Sequence, residues 1–169
     1  MVAPTAPVRD AARAMCEHHV HRLFVVDGGR PVGVVSTLDL TRAVGESRNE
    51  APITEVMSSP VFTVKAQQPI SAAVERLENA KVAGLVVLDD GWPVGVFTQV
   101  EALQARDLAR ETRVDEVLDP SLLCLPVETK LHRAAAQAHR LSARRVIVCR
   151  GSEVAGIVTG LDFAKLVAA

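Results

Sequence analysis

The chain has 169 residues, 49% of them hydrophobic and 23% charged, with a net charge of −1. This is the composition of a folded globular protein with a sizeable core, and it excludes a disordered chain. The near-neutral balance, with aromatics at 3%, gives no field to attract nucleic acid or an anionic membrane and no stacking platform for single-stranded bases.

The start, Met1-Val2-Ala3-Pro4, has neither the basic region nor the apolar run of a signal peptide. The longest apolar stretch, around Val82 to Leu88, is too short to span a bilayer. A soluble, cytoplasmic protein is expected. Met1-Val2 predicts a short strand. Val8, Ala11, Ala12 and Met15 then recur at i, i+3, i+4 and i+7 and predict an amphipathic helix, with Pro7 where a first-turn proline is tolerated. Leu23-Phe24-Val25-Val26 is a buried strand, too short for a helix and too apolar for an exposed one. Asp27-Gly28-Gly29-Arg30 is a hairpin turn. The next strand runs into Gly33-Val34-Val35-Ser36-Thr37-Leu38-Asp39, behind which a second helix begins. Gly45 to Pro52 is polar with a breaker at each end and predicts a loop.

The same order then recurs twice. The second copy has a strand at Phe62-Thr63-Val64, a helical stripe of Ile70, Ala73, Val74 and Leu77 behind Pro69, a buried strand Leu85 to Leu88, and Gly95-Val96-Phe97-Thr98-Gln99-Val100-Glu101. Arg106 to Arg113, charged throughout, predicts a solvated helix tail. The third copy has Leu123-Cys124-Leu125, a stripe of Leu131, Ala134, Ala135 and Ala138, the strand Val146 to Cys149, and Gly156-Ile157-Val158-Thr159-Gly160-Leu161-Asp162. Gly33, Gly95 and Gly156 are spaced 62 and then 61 residues apart. A fixed period of that length marks a repeated supersecondary unit. The fold class is therefore α+β, three tandem β-α-β-β-α units over residues 1–50, 51–109 and 110–169.

Each repeated motif is glycine, two apolar residues, a hydroxyl, two spacers and a carboxylate. The hydroxyl suits the N-cap of the following helix and the acid its third position, which is a capping box. A helix N-terminus is also an anion site. There a hydroxyl can reach a phosphate and a carboxylate can accept from ribose hydroxyls. An arginine stands at the start of the middle strand in the first and third units, Arg22 and Arg145, suited to bidentate phosphate contacts.

Other groups read more plainly. Cys16, Cys124 and Cys149 are scattered and odd in number, as in reduced proteins. Cys16, His18, His19 and His21 cluster at a helix end, but only Cys16 and His19 share a face, and histidine suits a helix C-terminus. Arg140, Arg144, Arg145 and Arg150 make the third unit locally basic. No nucleophile elbow or phosphate-cradling glycine loop is present in the sequence, so no enzyme is expected.

The unit order, together with Glu55-Val56-Met57-Ser58, Arg22-Leu23-Phe24-Val25-Val26-Asp27 and Gly33-Val34-Val35-Ser36 ending at Asp39, resembles the CBS domain, the regulatory module named after cystathionine β-synthase. The resemblance covers nearly the whole chain. It implies pairing of units into a Bateman-type module, with adenosine-containing ligands (AMP, ADP, ATP or S-adenosylmethionine) in the clefts, no required cofactor, and an effector protein as partner. Carried over by position, it implies ligand contacts at Arg22, Ser36 and Asp39 and at Arg145, Thr159 and Asp162. The second unit departs, with Gly84 for the arginine and Glu101 for the aspartate, and there the plain cap is expected. The alternative is a structural or dimerisation module with vestigial clefts. The segment from Ile53 to Phe62 has no counterpart ahead of Met1, so the first unit reads as clipped, its missing contacts supplied by a neighbour or lost to a misplaced start. Adjacent repeats are expected to pair, the first with the second. The third would then find its mate in a second copy, giving a two-fold homodimer; pairing of the first with the third is the competing arrangement.

Overall fold

The computed structural model describes residues 1–119 and 121–169. The first unit contains α1 (Val8–Glu17), β1 (Arg22–Asp27), β2 (Arg30–Ser36) and α2 (Thr37–Glu46). The second contains β3 (Thr63–Lys65), α3 (Ile70–Ala80), β4 (Gly84–Asp89), β5 (Trp92–Thr98) and α4 (Gln99–Gln104). The third contains β6 (Leu123–Pro126), α5 (Leu131–Arg140), β7 (Arg145–Arg150), β8 (Glu153–Thr159) and α6 (Gly160–Ala168). Single 3-10 turns at Ile53–Glu55 and Val114–Glu116 lead into the second and third units.

The period in the sequence reappears in the hairpin pairing. The second and third units each form a three-stranded sheet, with β3 parallel to β4, β6 parallel to β7, and antiparallel hairpins β4–β5 and β7–β8. The first keeps only the hairpin β1–β2; the expected strand at Met1-Val2 is a single parallel bridge between Val2 and Val25. Arg22 pairs with Ser36, Gly84 with Thr98 and Arg145 with Thr159. All three hairpins shift register at the same place, after Val25, Val87 and Val148. Their turns hold positive φ at Gly28 and Gly29, at Asp90 and Gly91, and at Gly151, the twist a tight hairpin requires.

Two local expectations change. Gly45 lies inside α2 rather than opening a loop: a Cβ there would stand 3.1 Å from the Ala136 backbone nitrogen, so its bareness lets α2 lie against α5. The stretch after Gln104 is not a helix tail. Its Arg110 and Thr112 carbonyls accept from the amides of Ser71 and Ile70, satisfying the orphan donors at the start of α3. Pro7 and Pro69 cap α1 and α3 from the N-cap position rather than inside the first turn.

The pairing order is the main correction. The helices of the first unit pack on those of the third, α1 against α6 and α2 against α5 and α6. Ala12, Ala134, Ala135 and Ala138 are fully buried there. The third unit therefore does not lack an internal mate, and the homodimer expected from its uncovered stripe loses that basis. The physical reason is size. Gly45 and Gly160 permit close approach, and a Cβ on Gly160 would lie 2.5 Å from Thr37 Oγ1. The second unit carries Asp107 and Gln99 at the corresponding positions.

The second and third units meet instead through their sheets, β5 beside β8, and they exchange lead-in segments. Ser58 bridges to Ile157, the Ile53 amide donates to Thr129, and Ile53, Val56 and Met57 join the core of the third unit. Reciprocally the Val114 amide donates to Gln68, and Val114, Val117 and Leu118 join the core of the second. Each segment precedes one unit in sequence and completes the other in space.

Candidate functional site

Strand order and caps place the motif groups. Each Gly-led strand ends on a hydroxyl that caps the next helix, and all three capping boxes form. In the first, the amide and hydroxyl of Ser36 donate to Asp39 Oδ2 at 2.8 and 2.6 Å. In the second, the Thr98 amide donates to Glu101 Oε2 at 2.8 Å, and its hydroxyl donates to the same oxygen. In the third, the amide and hydroxyl of Thr159 both donate to Asp162 Oδ2 at 2.8 Å, and Lys165 Nζ donates to Oδ1 at 2.9 Å.

The two intact motifs differ in what they leave open. Asp39 is exposed and its second oxygen carries no side-chain or backbone partner among the described residues. The Ser36 hydroxyl holds its carboxyl below the usual carboxylate range, against the opposing effect of partial burial. Asp162 is 5% exposed and both of its oxygens are engaged.

Helix packing brings the first and third motifs together. Thr37 and Gly160, the first residues of α2 and α6, touch, so two positive helix ends converge. Around them gather the strand-start cations. Arg22 and Arg145 sit opposite their motif hydroxyls in the hairpin registers. His21 lies close enough to Arg145, Arg22 and Arg144 that, after partial burial, these three cations push its pKa below the ordinary value. Burial likewise lowers Arg145, assisted by Arg144 and opposed by Glu101; a guanidinium remains charged regardless.

Glu101 next to Arg145 is a junction that the sequence reading missed. Thr98 and Glu101 of the second unit face the start of β7 across a groove of about 540 Å³, whose lining includes Thr98, Glu101, Ser121, Leu123, Ala143 and Arg145. The second motif thus has no arginine of its own but shares a groove with Arg145 of the third unit. His21 and Arg144 were also not assigned. The signal for them was present, since they occupy the same repeat position, one residue ahead of Arg22 and Arg145.

Burial pushes the Cys124 thiol to about 11, beside Cys149, which is also raised. Neither is a thiolate near neutral pH. Among the described residues no group of three or more metal-ligating side chains is assembled, and no helix is long and apolar enough to cross a membrane.

Comparison with known proteins places these features. The family model for the CBS domain matches residues 1–46 and 53–107. Uncharacterized protein MJ1225 of Methanocaldococcus jannaschii is 27% identical over an alignment that covers 98% of this chain and 66% of that protein. Its crystal structure superposes with a TM-score of 0.79 at 15% identity, covering 98% of this chain and 66% of that one. A conserved protein of Pyrococcus horikoshii gives a TM-score of 0.77 at 24% identity, covering 98% and 77%. The CBS domain pair of protein MJ0100, solved in complex with 5-methylthioadenosine and S-adenosyl-L-methionine, gives 0.60 at 20% identity, covering 69% and 94%. These likenesses show the fold, a CBS-pair arrangement of the Bateman type. The chain spans 66% of the length of MJ1225 and 43% of that of the relative MJ1404 from the same organism. L-aspartate semialdehyde sulfurtransferase of M. jannaschii is matched over only 16% of its length, so its activity does not carry over.

Proposed function

The chain belongs to the CBS-domain family, and on that premise we propose that it is a regulatory protein, not an enzyme, that binds an adenosine-containing nucleotide and passes the binding state to an effector. Arg22, Ser36 and Asp39 form one contact set and Arg145, Thr159 and Asp162 the other. The observation that carries the reading is that the N-termini of α2 and α6 touch, with Arg22 and Arg145 opposite the motif hydroxyls of Ser36 and Thr159 in the hairpin registers. Two guanidiniums and two helix ends near one another are stabilised by an anion between them, and a phosphate supplies that anion. Asp39, with a free oxygen, is suited to ribose hydroxyls. The complex of MJ0100 with two adenosine-containing ligands supports the ligand class.

The second reading, a structural module with vestigial clefts, is favoured by one observation. Asp162 is buried and fully bonded, so a ribose there must displace Lys165 or Thr159.

Calorimetry and thermal shift with AMP, ADP, ATP and S-adenosylmethionine test the proposal. A ligand at 100 times its Kd adds about 2.7 kcal/mol, which is about 5–10 °C in Tm for a chain of this size. Arg22→Ala, Arg145→Ala and Asp39→Ala are expected to lose binding at least tenfold, and Glu101→Ala much less. Binding lost in Glu101→Ala alone overturns the residue assignment; no shift with any of the four ligands leaves the structural reading. Binding is expected without turnover of the nucleotide. Affinity for a polyphosphate is expected to rise as pH falls from 7.5 to 6. The cations that depress the His21 pKa are neutralised by the ligand, so binding takes up a proton. Calorimetry of His21→Gln is expected to show a flat pH profile.

A further inference from the structure

Two cysteines that are distant in the chain meet in the third unit. β6 and β7 run parallel, with Cys124 opposite Ile147 and Pro126 opposite Cys149. Leu125, Val146 and Val148 point into the core of that unit, so strand alternation puts Cys124 and Cys149 together on the other face of the sheet. The Cys124 thiol donates a hydrogen bond to Cys149. Cys124 is exposed and Cys149 half-buried, so the pair can be reached from solvent.

The repeat does not require thiols here. The second unit has the same parallel pair of strands, and its residues at these two places are Thr63 and Leu88. Packing of the unit therefore accepts a hydroxyl and a hydrocarbon where the third unit sets two sulfurs side by side.

Adjoining thiols can join each other or share an ion, and the strand register decides between these. Cys124 and Cys149 are offset by two residues. With strands about 4.8 Å apart and a rise of about 3.3 Å per residue, their Cα atoms stand about 8 Å apart. A disulfide spans at most about 7 Å, so it would require the strands to slide. An ion bound at about 2.3 Å from each sulfur bridges about 4.6 Å, which two side chains leaning toward each other reach without backbone movement. The donor set then selects the ion. Among the described residues no third histidine, cysteine or carboxylate joins the pair, so the four-ligand shell of structural zinc is not filled by this chain. Two soft thiolates with no harder ligand suit a soft monovalent ion that accepts two-sulfur coordination, as copper(I) does.

We propose that Cys124 and Cys149 form a binding site for a single copper(I) ion between β6 and β7. Both thiol protons leave as the ion binds, copper stays at +1, and the two thiolates give the complex a net charge of −1. Affinity therefore rises with pH. The ion ties together the two strands that contribute Leu123 and Arg145 to the groove facing the second unit.

Anaerobic titration of the reduced chain with copper(I), supplied as its coloured bicinchoninate complex, tests the site. The chain is expected to withdraw one ion per molecule and to develop a thiolate-to-copper absorption band in the near ultraviolet. An equal concentration of zinc(II) is expected not to displace the ion. Cys124→Thr and Cys149→Leu install the residues the second unit carries and are expected to leave the Tm of the metal-free chain unchanged. Each is expected to weaken copper binding about a hundredfold or more, because the second thiolate acts at high effective concentration. Cys124→Ser and Cys149→Ser, smaller changes in shape, are expected to do the same. Cys16→Ser is expected to bind as wild type does. The proposal is overturned by an absence of uptake, by uptake that persists in the Cys124→Thr, Cys149→Leu double variant, by loss of uptake in Cys16→Ser, or by one ion shared between two chains.

Discussion

Ser36 and Asp39 show how one pair of residues serves folding and suits a ligand. The capping box satisfies backbone donors at the start of α2, and the free oxygen of Asp39 remains turned to solvent. Because the folded-state pKa of Asp39 is depressed, its contribution is present above the unfolded carboxylate value of about 3.9 and is lost as pH falls through the lower folded value. Ser36→Ala is expected to cost about 1 kcal/mol at pH 7, with the difference from wild type shrinking below about pH 4 in chemical denaturation. Glycines separate just as clearly by what surrounds them. Gly160→Ala drives a methyl into Thr37 and is expected to cost about 1–3 kcal/mol, the range for overpacking. Gly33→Ala enters open space and is expected to stay within about 0.5 kcal/mol of wild type. Thermal melts of the two variants check the contrast.

At the scale of elements, the same helical stripe has two fates. α1 and α5 carry alanine where helices cross, and Ala12 and Ala135 lose all contact with water. α3 carries Val74 at that position and is left half-covered. Ala12→Glu and Ala135→Glu each bury an unpaired charge in one shared interface and are expected to destabilise the chain equally, by about 3 kcal/mol or more. Val74→Glu, on the open face, is expected to be near neutral. Urea midpoints rank the three. A large effect of Val74→Glu, matching the other two, would mean that the helix face of the second unit is covered in solution.

The whole molecule is held in two ways. The first and third units are joined by helices, while the second and third are interlocked by exchanged segments. Ile53 precedes the second unit yet is buried in the core of the third. Ile53→Ala is expected to cost about 2–5 kcal/mol. Amide exchange is expected to accelerate over residues 123–135, on which Ile53 packs, more than over residues 63–77, which follow it in sequence. The reverse order would show that the lead-in segments act on the units they precede. The exchange also explains how a groove forms at the sheet contact. The chain crosses between units on both sides, so the Thr98 end of β5 is held beside the start of β7, and Glu101 and Arg145 line the same groove.

Period, caps and stripes were legible because they are local: a spacing of 62 and 61 residues, a hydroxyl three residues ahead of an acid, and apolar side chains at helical intervals act within one unit and need no neighbour. Family membership followed from the same residues. Which units pair was decided by side-chain volume at crossings between distant segments, where Gly45 meets Ala136 and Gly160 meets Thr37; adjacency in sequence carries no information about that fit. The fate of the second motif was decided likewise. Its own strand lacks an arginine, and only the sheet contact sets it in one groove with Arg145, 61 residues further along the chain than Gly84. Local propensity reaches a few residues along the backbone, whereas steric fit and Coulomb interaction act through space, so the sequence by itself determined the units and their caps and the tertiary structure alone decided their partners and the charge at each cleft.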